Sequence, residues 1–293
     1  MNARTYNLFG WLLGAGLALL LCTIAVVSSQ YSGDSSRDIV LYFDELAYFP
    51  LIVLAIAFVV ASKLRRSGDR IEGEQVLRHD GIARITHWTT AFGCLLLMAT
   101  GVALGFLFVP RMVTDASATA VLFNLHFVGA LFFLFGSCLW AANQIVDRKR
   151  MQTHLPDESL VQEIKKSVLH YTHMAGLTKK HIEAPKYHHS GRLAGLIIIA
   201  TSLVIILSGF AKLAVRGIDV SPTIATIINL SHDGATLVML MLIPVHAFLG
   251  GVAPWAWNTL KGMFTGYVSR DYAKQHHTLW FKELEAKQRQ EKK

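Results

Sequence analysis

The chain has 293 residues, of which 53% are hydrophobic and only 16% charged, and it carries a formal net charge of +8. The charges gather between long uncharged runs, which excludes an ordinary soluble domain and implies a polytopic membrane protein. The same placement excludes nucleic acid as the expected partner, because basic residues at the ends of apolar runs orient a chain in a bilayer and touch lipid headgroups.

Six runs read as membrane spans, at about residues 8–28, 46–62, 85–109, 120–144, 193–215 and 224–257. The first is placed like a signal peptide and is read as a retained span. The second is the shortest, with about seventeen uncharged residues between Glu45 and Lys63. Lys63, Arg65, Arg66 and Arg70 follow it. Arg148, Lys149, Arg150, Lys165, Lys166, Lys179, Lys180 and Lys186 lie between the fourth and fifth. Lys261, Arg270, Lys274, Lys282, Lys287, Arg289, Lys292 and Lys293 come after the sixth. The opposite loops carry Asp34, Arg37, Asp38, Asp44 and Glu45, then Arg111, then Lys212 and Arg216. The positive-inside rule therefore places both termini in the cytoplasm, and the expected location is a bacterial cytoplasmic (inner) membrane. The expected organisation is a two-span extension at 1–77, a membrane core at 78–260 and a basic cytoplasmic tail at 261–293. Cys22, Cys94 and Cys138 all fall inside spans, so no disulfide framework is implied. Without a C-x-x-C-H motif, any haem would be b-type, held by axial ligands alone.

The histidines divide into two groups. His79, His154, His170, His173, His181, His276 and His277 fall in basic segments and are expected to be solvated. His87 opens the third span in ARITHWTTAFG, His126 lies near the start of the fourth in LFNLHFVGALFF, and His232 and His246 bracket HDGATLVMLMLIPVH in the sixth. A separation of fourteen residues is about 3.9 helical turns and about 21 Å of rise, so the last two imidazoles share one helix face. One then sits near each side of a hydrocarbon core about 30 Å thick. Ionisable residues at such depths are costly and usually functional. Orientation pairs His87 with His246 at cytoplasmic depth and His126 with His232 at the opposite face. Two bis-histidine sites for stacked haems follow; two imidazole nitrogens saturate haem iron, which favours electron transfer over substrate binding. The same residues also admit a proton relay or plain hydrogen-bonded burial, although neither requires depths that pair twice. Gly101, Gly105, Gly129, Gly136, Gly209, Gly250 and Gly251 permit close helix approach, as small residues in spans commonly do. Pro244 removes a backbone bond shortly before His246.

A membrane haem exchanges electrons with a lipid-soluble quinone, whose carbonyls need hydrogen-bond donors and a proton route to water. KYHHSGR, Lys186 to Arg192, enters the fifth span at the depth of His246 and offers such groups, notably His188, His189 and Ser190. Its composition also suits an interfacial anchor.

Together these residues resemble the dihaem cytochrome b (gamma) subunit of respiratory formate dehydrogenases. LSHDGATLVMLMLIPVHAFLG is similar to that family's last span, and LKGMFTGYVSRDYAKQHHTLWFKELE to its K-G-M-x-x-G-x-V-S-R…A-K-x-H-H-x-x-W-x-x-E tail. Thr86, His87 and Trp88, with Thr100 and Gly101, resemble the family's first span, and the His126 segment its second; the likeness runs over roughly residues 78–290. The histidine framework alone is shared with other quinone-linked cytochromes b.

The resemblance implies an all-α polytopic membrane helix bundle, a four-helix dihaem cytochrome b core plus two extra N-terminal transmembrane helices. It implies two b-type haems, the cytoplasmic-side one held by His87 and His246 and the periplasmic-side one by His126 and His232. The chain would be a subunit of an oxidoreductase complex, with no formate chemistry of its own. Implied partners are an iron–sulfur (beta) subunit and a molybdenum or tungsten catalytic (alpha) subunit, with menaquinone or ubiquinone as acceptor; a higher oligomer is left open. The family's quinone segment resembles Lys-Tyr-Asn-x-Gly-Gln. Lys186 and Tyr187 match it, His188 replaces the Asn, and Ser190 and Gly191 stand where Gly and Gln are expected. A quinone site with altered chemistry is therefore expected from Tyr187, His188, His189, Ser190, Gly191 and Arg192. Two other readings remain open: the cytochrome b of a thiosulfate, polysulfide or tetrathionate reductase or a hydrogenase, with quinol oxidised, and a haem-free histidine-lined transporter or proton channel.

Overall fold

A backbone in hydrocarbon must satisfy its own polar groups, and an uncharged run does so as a helix. The computed structural model describes residues 3–31, 41–64, 67–174, 176–179 and 183–291. His181 and the loop charges Asp34, Arg37, Asp38, Arg65, Arg66, Lys180, Lys292 and Lys293 lie outside the described residues. In chain order come helices α1 (Ala3–Tyr31), α2 (Tyr42–Glu45) and α3 (Phe49–Lys63), then strands β1 (Arg70–Glu72) and β2 (Gln75–Leu77). Helices α4 (Gly81–Leu104), α5 (Ala116–Val146), α6 (Arg148–His154), α7 (Leu160–Met174), α8 (His189–Ala214) and α9 (Pro222–Ala247) follow. After a π-helical turn at Phe248–Val252 and a 3-10 turn at Pro254–Ala256 come α10 (Trp257–Thr265), β3 (Tyr267–Ser269), α11 (Arg270–His276) and α12 (Thr278–Glu291).

The protein is an all-α, multi-pass membrane protein. Among the described residues five helices are long and apolar enough to cross a bilayer: Gly10–Ser29 within α1, then α4, the Ala116–Ile145 part of α5, α8, and Pro222–Val252. The remaining expected span is α3, whose 15 residues rise only about 22 Å, short of a core about 30 Å thick. Asp44 and Glu45 in α2 stop the apolar run from extending backwards.

The chain divides into two compact units, and α4, α5, α8 and α9 each contribute a segment to both. The first unit comprises Met1–Ala57, Trp88–Ser137 and Gly209–Asp233. In it α4 and α5 touch backbone to backbone at Gly93, where an added Cβ would lie 2.4 Å from the Phe133 nitrogen and 2.7 Å from the Gly129 oxygen. The N-terminal segment is tied to α5 through Asn124, which is fully buried. Its Nδ2 donates to Ser29 Oγ at 2.9 Å, and its Oδ1 accepts from the Tyr42 amide at 2.9 Å. Phe43 in α2 packs edge-on against Phe127 at 5.0 Å and lies 6.4 Å from the His126 ring, so the extension closes over that histidine.

The second unit comprises Phe58–His87, Cys138–Ser208 and Gly234–Lys293. Its chain terminus, read above as a basic tail, folds back as a cap. β3 adds to β2 with Val76 opposite Val268, completing a three-stranded antiparallel sheet in the order β1-β2-β3. Val76, Val268, Tyr272, Ala273, Trp280, Phe281 and Leu284 form its hydrophobic core. Two glycines of the K-G-M-x-x-G motif have backbone reasons to be there. Gly266 caps α10 at φ +91°, a conformation that disfavours side chains, and its carbonyl accepts from the Arg78 and His79 amides at 2.8 and 3.1 Å. A Cβ on it would meet the His79 oxygen at 2.7 Å, and Gly262 packs on Val268.

His79 and His277 correct the expectation that the loop histidines are solvated: they are 5% and 0% exposed. Arg78 Nη1 donates to His277 Nε2 at 2.7 Å, while His277 Nδ1 donates to the Pro185 carbonyl at 2.9 Å. Trp280 Nε1 and Lys186 Nζ both reach Asp69 at 2.8 Å. His154, His170 and His173 are half-buried, the first two with Tyr187 and His188 as ring neighbours, and among the described loop histidines His276 alone is exposed as expected. Burial, aided by the Arg78 and Lys186 charges, holds His79 well below the ordinary histidine range. Burial and neighbouring cations push His154 to about 4, burial and His170 push His188 to about 3, and burial and Arg78 lower His277. The unfolded chain takes up these protons near pH 6.5 and the folded chain does not, so their stability is full above that pH and is lost as pH falls towards about 4. The thermal midpoint in detergent is expected to drop over that window; a midpoint that stays flat would refute the assignment.

Asp80 fixes the start of α4. Burial alone would raise its carboxyl, but Arg150 and the Ala83 amide overcome that and hold it below the usual carboxylate range. Arg150 Nη2 meets Asp80 Oδ2 at 2.7 Å, and the Ala83 amide donates to Oδ1 at 2.9 Å. Helix α7 is inverted relative to a helix in water. Leu160, Val161, Ile164 and Val168 are 57%, 61%, 53% and 58% exposed, while Glu163 is fully buried and Ser167 nearly so. An apolar outer stripe beside Lys165 and Lys166 is what a helix lying in the headgroup region requires.

Candidate functional site

The second unit brings His87 and His246 together: their ring centres are 6.2 Å apart at 51°. Metal–imidazole bonds of about 2 Å, with roughly 1 Å from each nitrogen to its ring centre, separate two axial histidines by about 6 Å. His87 stands on the second turn of α4, behind the Asp80 cap, and is half-buried; His246 is exposed near the end of α9, between Pro244 and the π-helical turn. Helix ends broken in this way are common at functional sites.

In the first unit His126 and His232 lie within electrostatic reach of each other. Thr100 Oγ1 stands 2.8 Å from His126 Nδ1 and 2.7 Å from the Leu96 carbonyl. A carbonyl only accepts, so the threonine hydroxyl donates to Leu96 and accepts from His126 Nδ1–H. The tautomer is thereby set, and Nε2 is the nitrogen left with a lone pair, as a metal-bound imidazole needs. Two glycines line the imidazoles: a Cβ on Gly101 would meet His126 Cε1 at 3.6 Å, and one on Gly209 would meet His232 Cε1 at 3.7 Å. Any larger side chain at either position would fill the space beside a ring. Among the described residues no three His, Cys, Asp or Glu side chains converge on one point. Each pair thus offers two nitrogens, the number that an iron porphyrin leaves open.

With this geometry in view, the comparison with known families is decisive. The family described as prokaryotic cytochrome b561 matches residues 78–266, which include all four histidines. The chain belongs to the prokaryotic cytochrome b561 family. It is therefore a haem b protein of the membrane, and the donor sets just described fit that group. The cytochrome b556(Fdn) subunit of the nitrate-inducible formate dehydrogenase of Escherichia coli strain K12 is 22% identical over 217 residues, 73% of this chain and 94% of that protein. The cytochrome b556(fdo) subunit of formate dehydrogenase from the same strain is 28% identical over 218 residues, 72% of this chain and 94% of that protein. Shigella flexneri has a relative of the first kind with the same 22% identity.

The segment from Lys186 to Arg192 is more structured than its sequence suggests. Tyr187 stacks on His154 at 4.4 Å and lies 6.3 Å from His79. His188 stacks on His170 at 4.5 Å and packs against the tilted His277 ring at 4.7 Å. His189 Nδ1 lies 2.7 Å from Glu163 Oε2, and Ser190 accepts from the Tyr171 hydroxyl at 3.2 Å. Gly191 is exposed, with open space around it. Arg192 pairs with Asp157 and lies 3.6 Å from Glu163. His188 and His189, expected as equivalent donors, are thus different: one is a packed ring, the other is hydrogen-bonded to a buried carboxyl group. Reading the sequence alone missed Thr100 as a hydrogen-bond partner, Glu163, Arg78 and the inward turn of His277. The only advance signal for Glu163 was its place with Ser167 and His170 on one polar stripe of α7.

Proposed function

We propose that the chain is the membrane electron-transfer subunit of a formate dehydrogenase complex, taking electrons from a periplasmic-side iron–sulfur subunit and delivering them to quinone near the cytoplasmic side. The observation that carries the reading is the paired set of intramembrane histidines, one member of each pair on α9, in a chain that aligns with formate dehydrogenase cytochrome b subunits over 94% of their length. His87 and His246 hold one haem; His126 and His232 hold the other. When bound, each haem supplies a one-electron carrier in a low-dielectric setting. Thr100 keeps His126 in the ligating tautomer. The Asp80 cap and the Gly266 contact fix the turn before His87, and Gly101 and Gly209 leave room beside the His126 and His232 rings. The segment Tyr187–Arg192 receives the quinone, menaquinone or ubiquinone, and protons come from the cytoplasm. The one-sided basic loops support a cytoplasmic-membrane location with both termini inside. The catalytic subunit, of molybdenum or tungsten type, oxidises formate elsewhere in the complex.

The test is purification from native membranes. A large catalytic subunit and an iron–sulfur subunit are expected to co-purify, and formate is expected to reduce the b-haem bands. Bands that respond to thiosulfate or hydrogen but not formate would reassign the partner. A complete lack of b-haem bands would remove the cytochrome reading.

A further inference from the structure

We propose that His189 is the proton-transferring residue of the quinone site and that Glu163 is its positioning partner, a dyad formed by α7 and α8. The inference rests on the quinone reading above. His189 is 8% exposed and Glu163 fully buried, and their 2.7 Å contact uses His189 Nδ1. The other ring nitrogen, Nε2, is buried with no hydrogen-bond partner, and so is Nε of Arg192, itself 5% exposed. The two residues are three apart in the first turn of α8, so they share a face. Unsatisfied buried nitrogens are expensive, and two on one face point to an oxygen-bearing ligand that completes them. α7 presents its exposed apolar stripe outward while holding Glu163 inward, so this face lies at lipid-headgroup level, within reach of a lipid-soluble molecule.

The chemistry balances. A quinone becomes a quinol by taking two electrons from the reduced protein and two protons, one at each carbonyl oxygen. His189, as imidazolium with Nδ1–H held by the Glu163 carboxylate, breaks its Nε2–H bond as the O–H bond forms at the facing oxygen. The second proton reaches the other oxygen from water. Arg192 Nε donates a hydrogen bond and keeps its proton. Asp157, whose side chain is 64% exposed, pairs with Arg192 while its amide donates to Glu163 Oε1 at 3.3 Å, and it forms the wet end through which His189 is reprotonated. The other titratable groups around the dyad are His188, next in sequence, with His170 stacked on it from α7, and His154, which feels the Arg192 charge.

The test runs the reaction backwards on the purified haem-loaded protein. Short-chain benzoquinol and naphthoquinol are mixed anaerobically with it, and haem reduction is followed against pH. Glu163→Gln and His189→Gln are each expected to slow this step by about 100-fold and to flatten its pH profile, while haem content and reduction by dithionite stay unchanged. Glu163→Asp is expected to restore part of the rate. Should Glu163→Gln fail to retain haem, His189→Gln and Glu163→Asp decide the matter on the same readouts. Unaltered rate and pH profile in the variants would overturn the dyad while leaving the quinone reading intact. Failure of either quinol to reduce haem in the unaltered protein would instead overturn the quinone reading itself.

Discussion

Replacing His232 by leucine is expected to leave the purified protein with about one haem per chain where about two are expected of the unaltered protein, because a lone axial imidazole binds b-type haem weakly. The stranded partner is His126, which keeps its bond to Thr100 and so gains no alternative use for Nε2. His246→Leu is expected to remove the other haem, leaving His87 alone, and the double variant to remove both. Pyridine haemochrome analysis against protein concentration reads all three. If His232→Leu kept two haems, or if either single variant lost both while remaining folded, the assignment of one pair to each unit would fall.

The second large effect concerns packing. Gly93→Val is expected to abolish stable accumulation of the protein in the membrane. The nearest atoms to an added Cβ are backbone, at 2.4, 2.7 and 2.9 Å, and backbone cannot step aside as the end of a side chain does. α4 and α5 would have to part, at a cost beyond the roughly 1–3 kcal/mol usual for overpacking. Gly195→Ala is the control, since nothing lies within 4 Å of its added Cβ. Comparable yield and thermal midpoint for Gly93→Val and the unaltered chain would show that the crossing is looser than described.

Much of the site was legible from residues 87, 126, 232 and 246 because span, depth and charge are one-dimensional properties. The apolar runs give the helices, and helical rise together with the one-sided basic flanks gives the expected pairing of the four histidines. What escaped depended on contacts between distant residues. His277 looks wet in AKQHHTLW, and only Arg78 and Pro185, far back in the chain, turn it inward. Gly93 could not be distinguished from the other glycines of the spans, because its importance comes from where Phe133 and Gly129 fall. α7 carries a visible amphipathic period, yet periodicity does not say which face points inward, and next to lipid the usual answer reverses. The shortness of α3, by contrast, was legible from the charges at either end of its apolar run.

The cap of the second unit sets an order of manufacture. The turn that leads into α4 is pinned by the Gly266 carbonyl and by His277, and Asp69 ahead of β1 is held by Trp280, all of them residues that follow α9 in the chain. The backbone ahead of His87 therefore stays unlatched until residues 266–280 have been made and have folded back onto it. A nascent chain stalled before Gly266 carries His87 without the clasp that positions it.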